Sequence, residues 1–202
     1  MKVLLEIGRR FIVVRGESGF TAGDRLPIVL AHGRAFGSGE HETTSSCLEE
    51  LEDIPLSRSF SVLDLGSGTG ILAIAAARLG AGTVVALDPS PDAFKTTLAT
   101  VRLNGLEKTV VPVQGEIGAL GAELFDLVIA NLYGDVLFRL GGDIAAKLKP
   151  GGYLLVSGIL DEYAYDVRNR FLAAGCTVLK ERYLGEYWTF VLRQGIGAGP
   201  HD

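Results

Sequence analysis

The residues with the clearest chemical content form one short run, "LDLGSGTG", in which Asp64 stands two positions before the first of three alternating glycines, Gly66, Gly68 and Gly70. Glycines at that spacing let a strand turn sharply into a helix and bring bare backbone N–H groups to a ligand. The dinucleotide fingerprint G-x-G-x-x-G needs glycine at position 71, where this chain has Ile71, and no G-K-[ST] follows to make a P-loop. A pyrophosphate is repelled by a carboxylate in its turn, whereas a ligand with an ammonium or sulfonium group is suited by one. S-adenosylmethionine (SAM) carries both cations, together with a carboxylate that can use the turn's N–H groups. SAM is therefore the expected cofactor, with Asp64, Gly66, Ser67 and Gly68 as its first contacts.

Three other polar residues stand where apolar runs end. Asp88 closes "VVALD", and an acid at a strand end can accept two hydrogen bonds from ribose hydroxyls. With Pro89 and Ser90 after it, Asp88 can also serve the start of the following helix. Glu116 follows "VPVQG", near where an adenine would lie. Asn131 closes "FDLVIAN" and is followed by Leu132 and Tyr133. Ligands in open α/β sheets sit outside the carboxyl ends of the strands, so Asn131 and Asp64 are expected to border one crevice. Asn131 would contact the cofactor and orient the reacting group, and Tyr133 would line the entrance.

The segment "AFGSGEHETT" (35–44) raises the question of a metal. Glu40, His41 and Glu42 are consecutive, so their side chains diverge and cannot converge on one ion. His32 is nine residues from His41, and His201 lies near the chain end. No metal is expected. Gly37 and Gly39 allow the segment to fold as a strap over a ligand, with Phe36 packing on it and Thr43 and Thr44 offering hydroxyls. His41 reads as an exposed residue, with a role as base left open.

These residues need a scaffold. Residues 2–15 read as two short strands about "IGRR", and 28–32 as another, separated by a turn-rich stretch. A helix is expected over 42–53, with Cys47, Leu48 and Leu51 on one face. Beyond residue 60 apolar strands alternate with amphipathic helices over 70–79, 91–103, 135–148 and 161–174. In the second of these Phe94, Thr97, Leu98 and Val101 share a stripe. Pro150 and Gly151 read as a helix stop before the strand "YLLVSGIL". The last two segments alternate about Gly185 and read as an antiparallel pair. The whole implies a mostly parallel sheet covered by helices on both faces. The expected organisation is a β-rich extension over 1–34, a catalytic domain over 35–194 and a loose tail over 195–202.

The totals agree. The chain has 202 residues, 48% of them hydrophobic, and a formal net charge of −5. That balance argues against a broad nucleic-acid surface. Cys47 and Cys176 are far apart and make neither a zinc motif nor a disulfide framework, which suits a reducing, cytoplasmic setting. The first residues resemble a signal peptide only until Glu6 and two arginines interrupt it, and the apolar run 71–87 is broken by Arg78, Gly80 and Gly82. No membrane association is expected.

Taken together, "AFGSGEHETT", "VLDLGSGTGILAIAAARLGA", "VIANL" and "KPGGYLLVSGIL" resemble the class I SAM-dependent methyltransferases, and within them the bacterial PrmA family, which methylates ribosomal large-subunit protein eleven. The resemblance runs from about Ala35 to Arg193. It implies a Rossmann-like sheet ordered 3-2-1-4-5-7-6 with the last strand antiparallel. It also implies cofactor contacts at Thr44, Gly66, Asp88 and Asn131, and acceptors that are lysine or N-terminal amines of a protein, a ribosomal protein among them. The chain departs from the family in two places. Only about 35 residues precede the strap, where members usually carry a separate domain that grips the ribosomal protein, and the family's Asn-Ile-Leu-Ala appears as Asn131-Leu132-Tyr133-Gly134. Compact protein-lysine methyltransferases similar to PrmA, including those acting on electron-transfer flavoprotein, lack that domain too. The rival readings are a small-molecule methyltransferase and a non-catalytic SAM-binding subunit.

Overall fold

A computed structural model describes residues 2–16, 23–32, 37 and 39–196. It begins with three strands, β1 (Lys2–Ile7), β2 (Phe11–Arg15) and β3 (Leu26–Leu30); β1 runs antiparallel and β3 parallel to β2. Helix α1 (Glu42–Leu51) begins within the segment 35–44. Strands and helices then alternate through β4 (Ser61–Leu65), α2 (Ile71–Arg78), β5 (Thr83–Asp88), α3 (Pro91–Asn104) and β6 (Val110–Gln114). A 3₁₀ turn over Ile117–Leu120 leads to β7 (Phe125–Asn131), α4 (Gly134–Ala145), β8 (Leu148–Leu160) and α5 (Asp161–Ala173). The hairpin of β9 (Cys176–Leu184) and β10 (Tyr187–Gln194) turns at Gly185, whose φ is +62°.

The main sheet is ordered β6-β5-β4-β7-β8-β10-β9, with β10 antiparallel to both neighbours. Counted from β4, this is 3-2-1-4-5-7-6, the order the resemblance implies. Alternation along β4 sends Val62 and Asp64 to one face and Leu63 and Leu65 to the other. The first face packs on α1, α2 and α3 through Leu48, Leu51, Ile74 and Val101. The second packs on α4 and α5 through Leu137, Ile144, Val167 and Phe171. Both faces of the central strands are buried, which is why those strands read as unbroken apolar runs.

Two sequence expectations are corrected. Strand β8 starts at Leu148 and continues through Pro150 and Gly151; the departure from regular pairing falls there, between the Phe125–Leu148 and Leu127–Tyr153 partners. The inward face of α3 is largely polar: Thr96, Thr97, Thr100 and Asn104 are buried beside Ala93 and Val101, while Phe94 and Leu98 are only half-buried. The reason is hydrogen bonding. Asn104 accepts the N–H of Val29 through Oδ1 at 3.0 Å and donates Nδ2 to its carbonyl at 2.7 Å, standing in for a neighbouring strand. Thr100 Oγ1 accepts the N–H of Ala31. The described strands before residue 35 are packed on the rest of the chain, with Ile12, Val14 and Val29 in a small cluster against Leu103. Ile7, Phe11, Val13, Ile28 and Leu30 join the core of α1 and α2.

Candidate active site at the carboxyl edge of the sheet

The turn after β4 takes its shape from glycines in the left-handed region: Gly66 at φ +76°, Gly68 at +55° and Gly70 at +81°. Gly66 also has no room for a side chain, since a Cβ there would sit 2.5 Å from Leu132 Cδ2. Gly70 occupies the N-cap of α2 and offers no side chain to cap it. Asp64 takes that place from within the sheet, accepting the N–H of Ala73 through Oδ2 at 3.0 Å. A negative charge at a helix N-terminus is favourable. Asp64 is only 1% exposed, however, and burial, aided by Asp88, lifts its carboxyl to about 7.

Asp88 ends β5 and reaches across to the same turn. Its Oδ2 accepts the N–H of Gly68 at 3.0 Å, and its Oδ1 accepts the N–H of Ser90 at 2.9 Å. Ser90 in turn caps α3, with Oγ accepting from Ala93, and Pro91 starts the helix with a preset φ. The acid thus fixes the distance between the glycine turn and the start of α3 while keeping lone pairs for a further donor. The turn is tied on its other side as well. Thr97 donates to the carbonyl of Gly68 at 3.0 Å, and Thr69 donates to the carbonyl of Gly37 in the segment 35–44.

On the far side, α1 is capped by His41, whose Nδ1 accepts from Thr43 N at 3.4 Å and lies 2.9 Å from Thr43 Oγ1. His41 is half-buried, and its ring meets Tyr187 edge to face at 5.1 Å, so the expectation of an exposed histidine is corrected. Thr44, 1% exposed, accepts from Asn131 Nδ2 at 3.4 Å. Beside Asn131 stands Gly158, at φ +86°, where a Cβ would lie 2.4 Å from the Leu132 carbonyl oxygen and 3.2 Å from Asn131 Oδ1.

These elements enclose a cleft of about 570 Å³ at the carboxyl ends of the parallel strands, within the size range of small-molecule sites. Of the residues singled out from the sequence, Thr43, Gly66, Gly68, Asp88, Asn131 and Tyr133 line it. Thr44 supports Asn131 from below. Asp64 and Ser67 lie behind the wall, Asp64 accepting from Ala73 of α2 and Ser67 with its hydroxyl 3.3 Å from that of Thr97. Glu116 is exposed beyond β6 and does not line the cleft. Phe36 lies outside the described residues. The other lining residues, not anticipated as site contacts, include Ser90 and Asp92 on the α3 side, Gly158, Tyr187, and His41, whose role as base was left open. The reversed direction of the last strand carried the signal for Tyr187, because such a strand begins where its parallel neighbours end. Among the described residues no three metal-ligating side chains cluster, and no helix is long and apolar enough to cross a membrane.

The sequence matches the family model "Ribosomal protein L11 methyltransferase (PrmA)" over residues 5–194. It is 36% identical to the ribosomal protein L11 methyltransferase of Herpetosiphon aurantiacus over 211 aligned residues, covering 94% of this chain and 65% of that protein. It is 41% identical to that of Geobacter sulfurreducens over 189, covering 93% and 61%. The chain thus spans less than two thirds of the length of these relatives. Among solved structures, a ribosomal protein L11 methylase from Lactobacillus delbrueckii subsp. bulgaricus superposes with a TM-score of 0.84 at 24% identity, covering 96% of this chain and 100% of that one. The T. thermophilus 16S rRNA N2 G1207 methyltransferase, in complex with AdoMet and guanosine, superposes with a TM-score of 0.65 at 23% identity, covering 79% of this chain and 45% of that one.

Proposed function

The chain belongs to the ribosomal protein L11 methyltransferase (PrmA) family, and we propose that it transfers a methyl group from SAM to an amine of a protein, with ribosomal protein L11 as the first acceptor to test. The observation that carries this reading is the convergence of Gly66, Gly68, Asp88 and Asn131 on one cleft wall. The residues fit that cofactor. The glycine turn brings backbone to the wall where a side chain would collide, and Asp88 keeps acceptor capacity beyond its two backbone partners. When bound, SAM supplies a sulfonium-activated methyl group open to in-line displacement.

What the chain adds is alignment, which can be worth about 7–11 kcal/mol. Asp88 would accept from ribose hydroxyls, and Gly66 and Gly68, bearing no side chains, would let the cofactor lie against the backbone of the turn. Asn131, held by Thr44, would direct its amide oxygen at the acceptor amine. A lysine amine with an ordinary pKa of about 10.4 costs about 4–5 kcal/mol to deprotonate at neutral pH. A cleft that excludes water reduces that cost by disfavouring the ammonium form. In this reading residues 35–194 carry the chemistry, and the strands before them brace α1, α2 and α3 rather than cover the cleft. No residue of 2–32 lines it among those described, which supports a protein acceptor over a small molecule enclosed by a lid.

The test incubates the 202-residue chain with methyl-labelled SAM and purified L11, beside a lysate of its own source. Label on L11 or on another protein supports the reading. Label found only in the small-molecule fraction would replace the acceptor class, and absence of calorimetric SAM binding would remove the cofactor.

A further inference from the structure

The cleft extends further than the cofactor contacts require. In the sheet order β7 lies two places from β5 and two places from β10. With neighbouring strands about 4.8 Å apart, the distance from Asn131 to either end is roughly 10 Å. On the β5 side the lining consists of Gly66, Gly68, Asp88 and the first turn of α3; on the β10 side it includes His41 and Tyr187. The lining acids, Asp88 and Asp92, both fall in the β5 half. The half beyond Asn131 presents rings in place of carboxylates.

Resting on the reading of this site as a SAM-dependent amine methyltransferase, we infer that Tyr187 is an acceptor-binding residue whose ring forms the fixed wall along which the amine-bearing side chain reaches Asn131.

Three contacts hold that ring in place. Tyr187 is the first residue of β10 and is paired on both sides, with Leu160 of β8 and Leu184 of β9. Its ring meets His41 edge to face, at 5.1 Å between centroids and an interplanar angle of 63°. His41 is itself fixed as the N-cap of α1. The hairpin turn lies against α1 too, since a Cβ on Gly185 would overlap the Glu42 carboxylate. The neighbouring Trp188 points to the other face, where Nε1 donates to Asp161 at 2.8 Å, so Tyr187 alone of this pair is directed at the cleft. Across the mouth Tyr133 is 75% exposed and makes a looser lip. An aromatic face attracts the cationic end of an alkylamine as it arrives, and an apolar wall favours the neutral amine that must react. A wall with those two properties sets acceptor affinity without touching the cofactor.

The test measures two affinities on the full chain. S-adenosylhomocysteine binding is read by calorimetry, and L11 methylation at saturating SAM gives KM and kcat. Tyr187→Ala is expected to raise the KM for L11 at least tenfold, with S-adenosylhomocysteine affinity within twofold of the parent and kcat within threefold. Tyr187→Phe, which keeps the ring, should stay within threefold in KM. His41→Asn, which keeps a good N-cap but removes the supporting ring, should raise KM severalfold. Should Tyr187→Ala lose its melting transition, Tyr187→Leu gives the same reading with an apolar residue retained. An unchanged KM in the Ala or Leu variant overturns the assignment, as does a tenfold loss of S-adenosylhomocysteine affinity, which would put Tyr187 with the cofactor. A parent chain that binds no S-adenosylhomocysteine, or labels no protein, instead overturns the parent reading, and the assignment falls with it; where another protein takes the label, that protein replaces L11 in the KM measurement.

Discussion

Asn131 and Thr44 meet across the cleft floor: the side-chain amide at the end of β7 donates to the buried hydroxyl on α1 at 3.4 Å. Helix α1 therefore sets which way Asn131 presents its oxygen. Replacing Thr44 by the near-isosteric valine removes the acceptor but keeps the volume. Thr44→Val is expected to lower kcat about ten- to a hundredfold, the scale of a misplaced positioning group. SAM affinity should change by less than threefold. Steady-state kinetics beside calorimetry checks this, and an unchanged kcat would show that Asn131 is oriented by something else.

Asp88 serves two masters, a ligand and its own backbone. Asp88→Ala is expected to reduce SAM affinity by at least a hundredfold. Because Gly68 and Ser90 lose their acceptor, the unliganded protein should also lose about 1–3 kcal/mol. Calorimetry and urea melts read the two effects separately. Retained SAM affinity would end the ribose assignment.

A side chain at Gly158 would strike the Leu132 carbonyl and crowd Asn131. Gly158→Ala combines that collision with a strained φ, so a loss of about 1–3 kcal/mol in stability is expected. Activity should fall more than SAM affinity does, because the strand end being pushed is the one that bears Asn131. The comparison of kcat with calorimetric affinity decides it.

Asp64 makes stability depend on pH in an unusual direction. Burial holds its folded carboxyl at about 7, above the ordinary 3.8. The folded state keeps a proton that the unfolded chain has already released. The stability contributed by this group is complete below about pH 4 and is lost as pH rises through about 7. Asp64→Asn keeps an oxygen for Ala73 N–H and has no charge to bury. It is expected to exceed the parent by about 1–4 kcal/mol near pH 8 and by clearly less near pH 5, where only part of the loss has set in. Thermal melts at both pH values test this; an identical difference at the two would detach Asp64 from the pH dependence.

What was legible in the sequence was local. The glycine spacing, the acid and amide at strand ends, and the apolar runs each depend on a few neighbouring residues, and together they pointed to a cleft at the strand ends; the strand order came from the family resemblance. Side-chain direction was less accessible. Asp64 looked like a ligand contact because it stands in the turn, yet the two-residue alternation of β4 sends it toward α2, where an uncapped helix end takes it. Of the stripe on α3, Thr97 and Val101 are buried, whereas Thr96, Thr100 and Asn104 were passed over because hydrophobic periodicity gives little weight to polar residues. Thr97 and Asn104 face inward for the backbone groups they satisfy. Tyr187 lies on the last strand and joins the site only through the sheet's one reversal of direction, a feature of topology rather than of any nearby residue.

The Asn104 clamp on Val29 joins positions 75 residues apart. A ribosome adding roughly 5–20 residues per second releases the opening strands some ~4–15 s before the helix that completes them. Through that interval the apolar β2 and β3 lack α3, and until α1 and α2 have emerged they lack the core of those helices as well. The newborn chain is most prone to aggregate then, and shielding by a chaperone matters most in those seconds.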